Sequence, residues 1–591
     1  MANPLLNDRD VSFLLFELFE AEALCALPAF AEHSRETFSM YVDACRKLAR
    51  EALYPSYRPM DEATPRLVDG RLFIHPRMRE LHPKLVELGV INATRPAEVG
   101  GQQLPQMVAA CAHAYLVAAN LSAYGYAGLA AGTGRLIESF GTEEQKRDYM
   151  ARLYDGSWTG TMALTEPHAG SSLADVATRA TPVGDGSYRI QGSKIFISGG
   201  DHDLTENIVH MTLARIDGAP AGVKGISLFI VPQKRIEGGK LVHNDTAVAG
   251  MIHKIGWRGL PSIALNYGEN GDCRGYLLGE PNHGLSYMFQ MMNEARMLVG
   301  LNGVATAYVA YQESLEYAKT RPQGRLPANK GSGAQVPIIA HADVRRMLLR
   351  QKAIVEGGLA LIVYASRCAD LAEHATNAAQ KKENALLLDL LTPVAKSFPA
   401  EKGFESNALA MQIHGGYGYS SEYMPEAWLR DQKLNSIHEG TTGIQSIDLL
   451  GRKVSLHEGA AFKLLLREIG RALEDARAAG VDARQIDALA RATETTRTLT
   501  ASLVAERDPE ARLLHSVYYL DLFMTVVIGW MWLLQATRAQ RALAAKDDAF
   551  YRGKLTAAQY YLLSELPRVE QLAALIASGE DSYARTQPDW F

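Results

Sequence analysis

The chain has 591 residues, a length that exceeds one hydrophobic core and predicts three or four domains. Apolar residues make up 47% and charged residues 21% of it, which is typical of a soluble globular protein. The formal charge of -5 excludes the basic excess of nucleic-acid-binding proteins, so no nucleic-acid partner is expected.

Apolar residues recur at helical spacing through residues 1–157, which predicts an N-terminal helical domain. Over 158–284, short alternating runs such as SYRIQGSKIFIS and GISLFIVPQKRI are separated by Gly, Asp and Asn, which predicts a small antiparallel β domain. Helical periodicity returns over 285–452 as a bundle, broken only by the loop RPQGRLPANKGSGAQVP. A C-terminal helical extension follows at 453–591. The predicted fold is therefore mostly α with a central antiparallel β domain.

The N-terminus lacks the basic and apolar regions of a signal peptide, which predicts a cytoplasmic location. The five cysteines show no CxxC spacing, so neither a disulfide framework nor a metal site is expected. The longest apolar run, 522–534, is shorter than the roughly 18–20 residues that cross a bilayer. It predicts a buried helix rather than a transmembrane span, and peripheral membrane contact is the alternative.

The common nucleotide and hydrolase fingerprints, namely GxxxxGK[ST], GxGxxG at a strand-to-helix turn, HExxH and GxSxG, do not occur in the sequence. Four other segments stand out in a fixed order. They are MALTEPHAGSS (162–172), KIFISGGDHD (194–203), MQIHGGYGYSSEYMPEAWLRD (411–431) and SIHEGTTGIQ (436–445).

In order and spacing these segments resemble the acyl-CoA dehydrogenase family of flavoproteins over residues 85–452. The extension resembles the long branch that includes methylthiopropanoyl-CoA and very-long-chain acyl-CoA dehydrogenases. The resemblance implies FAD-dependent α,β-dehydrogenation of an acyl-CoA to trans-2-enoyl-CoA, as in fatty acid β-oxidation and lipid metabolism. Flavin N5 would accept the hydride, and electron-transfer flavoprotein would accept the electrons. In that branch the extension covers the surface that shorter members use to form tetramers, which implies a homodimer.

The segment MALTEPHAGSS ends a strand in a turn whose backbone N–H groups and hydroxyls are expected to lack internal partners. Such a turn suits hydrogen bonding to a flat heteroaromatic ring or a pyrophosphate. Phe196 stands where the family often has Trp, so an aromatic face is kept. The residues that the resemblance assigns to the flavin here are Met162, Leu164, Thr165, Gly170, Ser171, Phe196, Ile197 and Ser198.

The resemblance assigns Gln412, Gly415 and Gly416 to the adenosine half of FAD in the neighbouring subunit. Glycines let a backbone approach a phosphate closely. Arg321 keeps the arginine of the family's Arg-x-x-Phe-Gly motif and can pair with pyrophosphate, although Gln323 replaces the aromatic residue. His414 is predicted to be packed and hydrogen-bonded rather than catalytic.

Removing a proton α to a thioester carbonyl needs a positioned base of matched pKa. The resemblance places that base on Glu439, whereas Glu458, in a second HEG tripeptide, lies beyond the last family motif and is predicted to be solvated. Of the residues that follow the base, Gly440 is assigned to the substrate. Thr441 and Gly443 are assigned to the flavin, with Gly443 contacting it through its backbone.

Some relatives carry the base on another helix, at the position of Ala295. The adjacent Glu294 is turned away by about 100° and is predicted to be a structural or solvated charge. Asn293 and Arg296, with Ser171, match positions that hold the substrate.

Two alternatives remain open from the sequence, and a third is disfavoured. An acyl-CoA oxidase would use the same base and pass electrons to oxygen, whereas a non-catalytic, DNA-associated relative would need a basic face. A nitroalkane oxidase would need Asp in place of Glu439. Both a fatty acyl group and a sulfur-containing acyl group fit the sequence.

Overall fold

The computed structural model describes residues 3–329 and 331–591, without the side chains of Gln290, Met291 and Asn293. The α-helices are, in chain order, α1 Asp8–Ser12, α2 Arg35–Leu48, α3 Tyr54–Glu62, α4 Met78–Glu87, α5 Gln106–Phe140, α6 Glu143–Gln145, α7 Ala151–Tyr154, α8 Gly284–Thr320, α9 Ala342–His374, α10 Ala378–His414, α11 Pro425–Lys433, α12 Thr442–Asp448, α13 Leu456–Ala478, α14 Ala483–Ala505, α15 Pro509–Leu513, α16 Ser516–Ala545, α17 Ala549–Tyr560, α18 Arg568–Ala577 and α19 Ser582–Arg585.

The strands are β1 Arg66–Val68, β2 Arg71–Phe73, β3 Trp158–Ala163, β4 Arg179–Pro182, β5 Tyr188–Ser198, β6 Asn207–Ile216, β7 Ile226–Pro232, β8 Lys234–Glu237, β9 Lys240–His243, β10 Thr246–Met251, β11 Ser262–Tyr267 and β12 Arg274–Leu277. The predicted order of helices, β domain, helical bundle and C-terminal helices is confirmed. The boundaries between the four predicted domains stay a prediction.

The chain divides into two compact units. Unit 1 contains Met1–Phe38, Pro105–Ala114 and Arg296–Phe591, and unit 2 contains Ser39–Leu104 and Tyr115–Ala295.

The β domain in unit 2 is a closed barrel with a sheet extension. Pairing runs in a ring through β5, β12, β7, β6 and β4 back to β5, and β11 and β10 continue from β5. All seven residues of β7 and the first eight of β6 are buried, and they are mostly apolar, with the buried polar residues Asn207, His210, Thr212 and Ser227 among them. The domain is mostly antiparallel as predicted, but β6 pairs in parallel with both β3 and β4.

Long helices form unit 1, and glycines let two of them approach closely. A Cβ on Gly300 of α8 would lie 2.1 Å from the carbonyl oxygen of Ala395 on α10. A Cβ on Gly303 would lie 2.9 Å from the backbone of Pro399. Only glycine fits at these two positions without backbone movement. The close approach brings neighbouring turns of α8 and α10 side by side.

Two helices, α5 and α16, are long and apolar enough to cross a membrane by length and composition alone. Their most apolar windows are 94% and 78% buried inside the structure, as in the core helices of globular proteins. The apolar run that predicts a buried helix forms the centre of α16.

Candidate active site

Glu439 lies on a strained turn directly before α12. It adopts φ +54° and is followed by Gly440 at φ +85°, so two consecutive residues are left-handed. The buried Gln445 holds the turn, because its Nε2 donates to the carbonyl oxygens of Glu439 at 3.1 Å and Gly440 at 3.4 Å. Thr441 caps α12, with Oγ1 accepting from the Ile444 N–H at 3.3 Å. A non-glycine residue held at positive φ is typical of a functional site.

The Glu439 side chain is half-buried, and this burial raises the pKa of its carboxyl group above the usual value. The positive charges of Arg296 and Lys396 act in the opposite direction. Arg296 is itself buried on α8, with Nη1 3.4 Å from Oδ2 of Asp448. A carboxylate with a raised pKa beside fixed cations suits a general base that works near neutral pH.

The second HEG tripeptide has a different setting. Glu458 is exposed in the described structure, as predicted for a solvated carboxylate. Glu294, on the helix where some relatives carry the base, pairs with Arg135 at 2.9 Å, as predicted for a structural charge. The Asn293 side chain, assigned to the substrate, lies outside the described part of the chain.

A cleft of about 590 Å³ opens in unit 1 beside the end of α10. Its lining includes Arg321, Gly415 and Gly416 from the predicted set, whereas the exposed Gln412 does not line it. A Cβ on either glycine would meet nothing within 4 Å, so their bare backbone faces open space. The cleft can therefore admit a phosphate or nucleotide against the backbone.

Tyr417 supplies an aromatic ring in this cleft that sequence reasoning missed. The Arg321 guanidinium lies over that ring, 5.6 Å from its centroid, and 46% of Tyr417 is exposed. His414 is packed and hydrogen-bonded, as predicted. Its Nδ1 lies 2.8 Å from the Ala410 carbonyl oxygen, and its ring stacks on Tyr317 at 4.3 Å.

In unit 2, the turn after β3 is held by a buried ion pair that sequence reasoning also missed. Lys194 Nζ donates to Glu166 Oε1 at 2.9 Å and to the Leu164 carbonyl oxygen at 3.0 Å. Glu166 also accepts from the N–H groups of Ala177 and Thr178, at 2.7 and 3.0 Å. Burial acts to raise the pKa of Glu166, but the Lys194 charge and these hydrogen bonds outweigh it and hold the pKa low.

This pair shapes the segment that carries the predicted flavin residues. The backbones of Glu166 and Ala169 exchange two hydrogen bonds of 3.0 Å, so the expectation that the N–H groups of the turn lack internal partners is wrong for these two. Thr165 accepts from the Ile195 N–H at 2.9 Å, which ties the turn to β5. Met162, Leu164 and Thr165 are half-buried, and Gly170 and Ser171 are exposed.

Phe196 is presented to solvent by a β-bulge. Between Lys194 and Ile197, β5 has one residue more than its partner β11, and Phe196 adopts φ +61° with 60% of its surface exposed. Bulges of this kind re-aim a side chain. Ile197, by contrast, is buried and Ser198 half-buried. Thr441 and Gly443, on the other unit, are also half-buried.

The described residues fit the two ends of FAD separately. In unit 2, an exposed aromatic ring and polar turn suit a flat flavin ring, and in unit 1 a glycine-walled cleft with an arginine suits a nucleotide diphosphate. Within residues 3–329 and 331–591, no group of three or more His, Cys, Asp and Glu side chains could hold a metal ion. The fold and these features are those of a flavin-dependent oxidoreductase.

Family models agree with this class along almost the whole chain. The N-terminal, middle and C-terminal domains of acyl-CoA dehydrogenase match residues 35–157, 161–265 and 282–454. A model described as acetyl-CoA dehydrogenase C-terminal like matches 465–587. The chain belongs to the acyl-CoA dehydrogenase family, and its cofactor is FAD. The predicted family, enzyme class and cofactor are confirmed.

Two curated relatives match over nearly their full length. The 3-methylmercaptopropionyl-CoA dehydrogenase of Ruegeria pomeroyi is 38% identical over 562 residues, covering 94% of each chain. The broad-specificity linear acyl-CoA dehydrogenase FadE5 of Mycobacterium tuberculosis is 31% identical over 584 residues, covering 95% of each. Both relatives are long enough to include the C-terminal extension.

Two solved structures show the same fold. ACDH-11 of Caenorhabditis elegans, in complex with C11-CoA, gives a TM-score of 0.78 at 18% identity, covering 99% of this chain and 95% of the other. The acyl-CoA dehydrogenase of Bacillus anthracis, complexed with FAD, gives 0.74 at 21% identity, covering 98% and 95%.

Replacing Lys194 by Met is expected to destabilise unit 2 and weaken FAD retention. The variant leaves a buried Glu166 carboxylate without its cation and frees the Leu164 carbonyl oxygen. Breaking such a pair costs about 3 kcal/mol in the free energy of unfolding. Chemical denaturation and the FAD absorbance of purified protein measure both effects. Lys240→Met, at an exposed position on β9, is the matched control and should change neither. Full FAD retention by Lys194→Met would show that the pair does not shape the turn.

Proposed function

We propose that the protein oxidises an acyl-CoA thioester to the trans-2-enoyl-CoA, with Glu439 as the base that removes the α-proton. One observation carries the proposal: a half-buried carboxylate with a raised pKa on a turn locked at positive φ. Its backbone N–H is proposed to donate to the thioester carbonyl, which favours enolate character as it develops. FAD, when bound, supplies the acceptor for the β-hydrogen as a hydride.

The residues proposed to hold FAD fall into two groups. Phe196, Thr165 and Ser171, with the other residues of the β domain segments, hold the flavin end. Arg321, Gly415 and Gly416 hold the diphosphate and adenosine of the neighbouring subunit's FAD in the open cleft. This arrangement requires at least a dimer, and a homodimer is proposed because of the C-terminal extension. Sedimentation of the purified protein measures the assembly directly.

The proposed substrate is a straight-chain acyl-CoA, including one with a thioether in the chain. A sulfur atom replaces a methylene group with little change in shape, so a linear pocket can accept both. One relative is named for 3-methylmercaptopropionyl-CoA and another for linear acyl-CoAs of broad range, which supports this substrate class. Electron-transfer flavoprotein is proposed as the electron acceptor, with a role in β-oxidation and a cytoplasmic location.

Anaerobic addition of acyl-CoAs is the experiment that decides this proposal. We expect flavin bleaching in a series from C4 to C16 that includes methylthiopropanoyl-CoA, with the fastest reduction marking the natural chain length. In air, turnover should stall unless an electron carrier is added. Stoichiometric peroxide would select an acyl-CoA oxidase instead, and no bleaching with any thioester would contradict the proposed reaction.

A further inference from the structure

Lys396 differs from every other buried lysine in the described part of the chain. Its residue is 0% exposed on α10, and its Nζ makes no hydrogen bond to any described residue. Each of the others donates to a carboxylate, in the pairs Lys194–Glu166, Lys402–Glu405, Lys453–Asp389 and Lys554–Asp10. Burying an ammonium group without an acceptor is costly.

The helix contacts bring Lys396 beside the part of α8 that carries Arg296. Gly300 of α8 touches Ala395, the neighbour of Lys396, and Arg296 lies one turn before Gly300 on the same face. The charges that act on Lys396 are those of Glu401, Glu439 and Arg296. Glu401 in turn accepts a hydrogen bond from the hydroxyl of Thr442, the first residue of α12, which follows the turn that carries Glu439.

The surrounding charges leave Lys396 as the cation without a direct carboxylate partner. Asp448 of α12 forms ion pairs with Arg296 at 3.4 Å and with Arg452 at 2.9 Å. Lys453 forms an ion pair with Asp389. His438, adjacent to Glu439, is neutral, because burial lowers its pKa to about 4. Burial also lowers the pKa of Lys396, to about 8, so the amine is still mostly protonated at neutral pH.

We propose that Lys396 is a positioning residue for the base, and that its buried ammonium, which bonds no carboxylate directly, keeps the carboxylate of Glu439 ionised and ready to accept a proton. This rests on the proposed function of Glu439. The Lys396 ammonium makes no hydrogen bond to a described residue, so its burial costs stability, and its charge instead favours the ionised form of Glu439. When the Lys396 charge is removed, burial raises the pKa of Glu439 and only the Arg296 charge still lowers it.

The consequence is a shift in the pH dependence of flavin reduction. A base accepts a proton only when it is deprotonated, so the rate falls as the pH drops through its pKa. Without the Lys396 charge the pKa of Glu439 rises, and the acid limb of the profile moves to higher pH. A shift of one pH unit makes reduction about tenfold slower on the acid side of the limb and leaves the alkaline rate unchanged.

The experiment compares Lys396→Met and Lys396→Arg holoenzymes by anaerobic stopped-flow reduction with the best acyl-CoA substrate across the pH range. We expect Lys396→Met to move the acid limb of the limiting rate upward by a unit or more, with little change in substrate affinity. Lys396→Arg keeps the charge and is expected to restore the wild-type limb.

Thermal unfolding provides an independent readout. Because the ammonium has no partner, Lys396→Met is expected to unfold at the same or a higher temperature than wild type and to keep its FAD. An unshifted acid limb, or a Met variant that fails to fold, would overturn the inference. Glu439→Gln tests the base separately from Lys396. If that variant reduces its flavin normally, the proposed base is wrong. If Glu439→Gln is inactive but the acid limb of Lys396→Met is unshifted, only the role of Lys396 is refuted.

Discussion

Glu439→Gln is expected to abolish flavin reduction by acyl-CoA while leaving the FAD content of the purified protein unchanged. The amide has the shape of the carboxylate but cannot accept the α-proton, and general-base catalysis contributes roughly 10²–10⁴-fold. The turn itself should persist, since Gln445 binds the backbone carbonyl oxygens of Glu439 and Gly440 and not the side chain. Anaerobic stopped-flow absorbance of the flavin measures the rate, and we expect a loss of about 10³-fold.

The chain offers its own control for this variant. Glu458 stands in the same HEG tripeptide, is exposed and also adopts a positive φ, of +57°. Glu458→Gln therefore makes the same chemical change on a similar backbone away from the proposed site, and its flavin should be reduced at the wild-type rate. Wild-type reduction by Glu439→Gln, or a comparable loss in Glu458→Gln, would assign the base elsewhere.

Sequence alone predicted the order of helices and strands, because periodicity is local to each element. It could not predict the parallel pairing of β3 with β6, since that depends on strands about 50 residues apart meeting in one sheet. The sequence could not predict the bulge that exposes Phe196 either, because the bulge depends on the register of β5 against β11. The local sequence pattern predicts each helix or strand, whereas the pairing of strands depends on how the whole chain packs.

The same limit applies to the candidate site. The motifs led to Glu439, Arg321 and the glycines, since ligand-contacting residues lie in short segments with a recognisable order. The supporting residues carry no such signal. Lys194 and Lys396 are each a single lysine in a strand or helix, and only the folded structure shows that one binds a carboxylate while the other has no hydrogen-bond partner among the described residues. Both are proposed to support site residues that the sequence motifs already indicated.

A buried charge cluster ties the ends of the chain to the helical bundle of unit 1. Lys554 of α17 is 0% exposed and donates to Asp10 of α1, to Glu356 of α9 at 2.7 Å and to Gln535 of α16 at 2.8 Å. The hydroxyl of Tyr308 also donates to Asp10, at 3.0 Å. The Lys554 ammonium therefore bonds two buried carboxylates, one near the N-terminus and one in the middle of the chain, and Lys352 pairs with Glu356 as well.

Lys554→Met is expected to be strongly destabilising. It leaves the buried Asp10 without the cation that it bonds and Glu356 with Lys352 alone, and breaking a buried pair in this way costs about 3–5 kcal/mol in the free energy of unfolding. Burial already raises the pKa of Asp10, and loss of the ammonium should raise it further, so the carboxyl would take up a proton on folding. Denaturant unfolding measures the loss, and limited proteolysis should cleave the C-terminal helices faster.

Two further variants distinguish the charge cluster from general damage to α17. Lys546→Met, at an exposed position after α16, should stay within about 0.5 kcal/mol of wild type. The triple change Asp10→Asn, Glu356→Gln and Lys554→Met removes the three fully buried charges and leaves only Lys352, which is partly exposed, so it should recover a large part of the stability lost in Lys554→Met. A wild-type denaturation midpoint for Lys554→Met alone would mean that water reaches the carboxylates. In that case the cluster would not anchor the C-terminal helices.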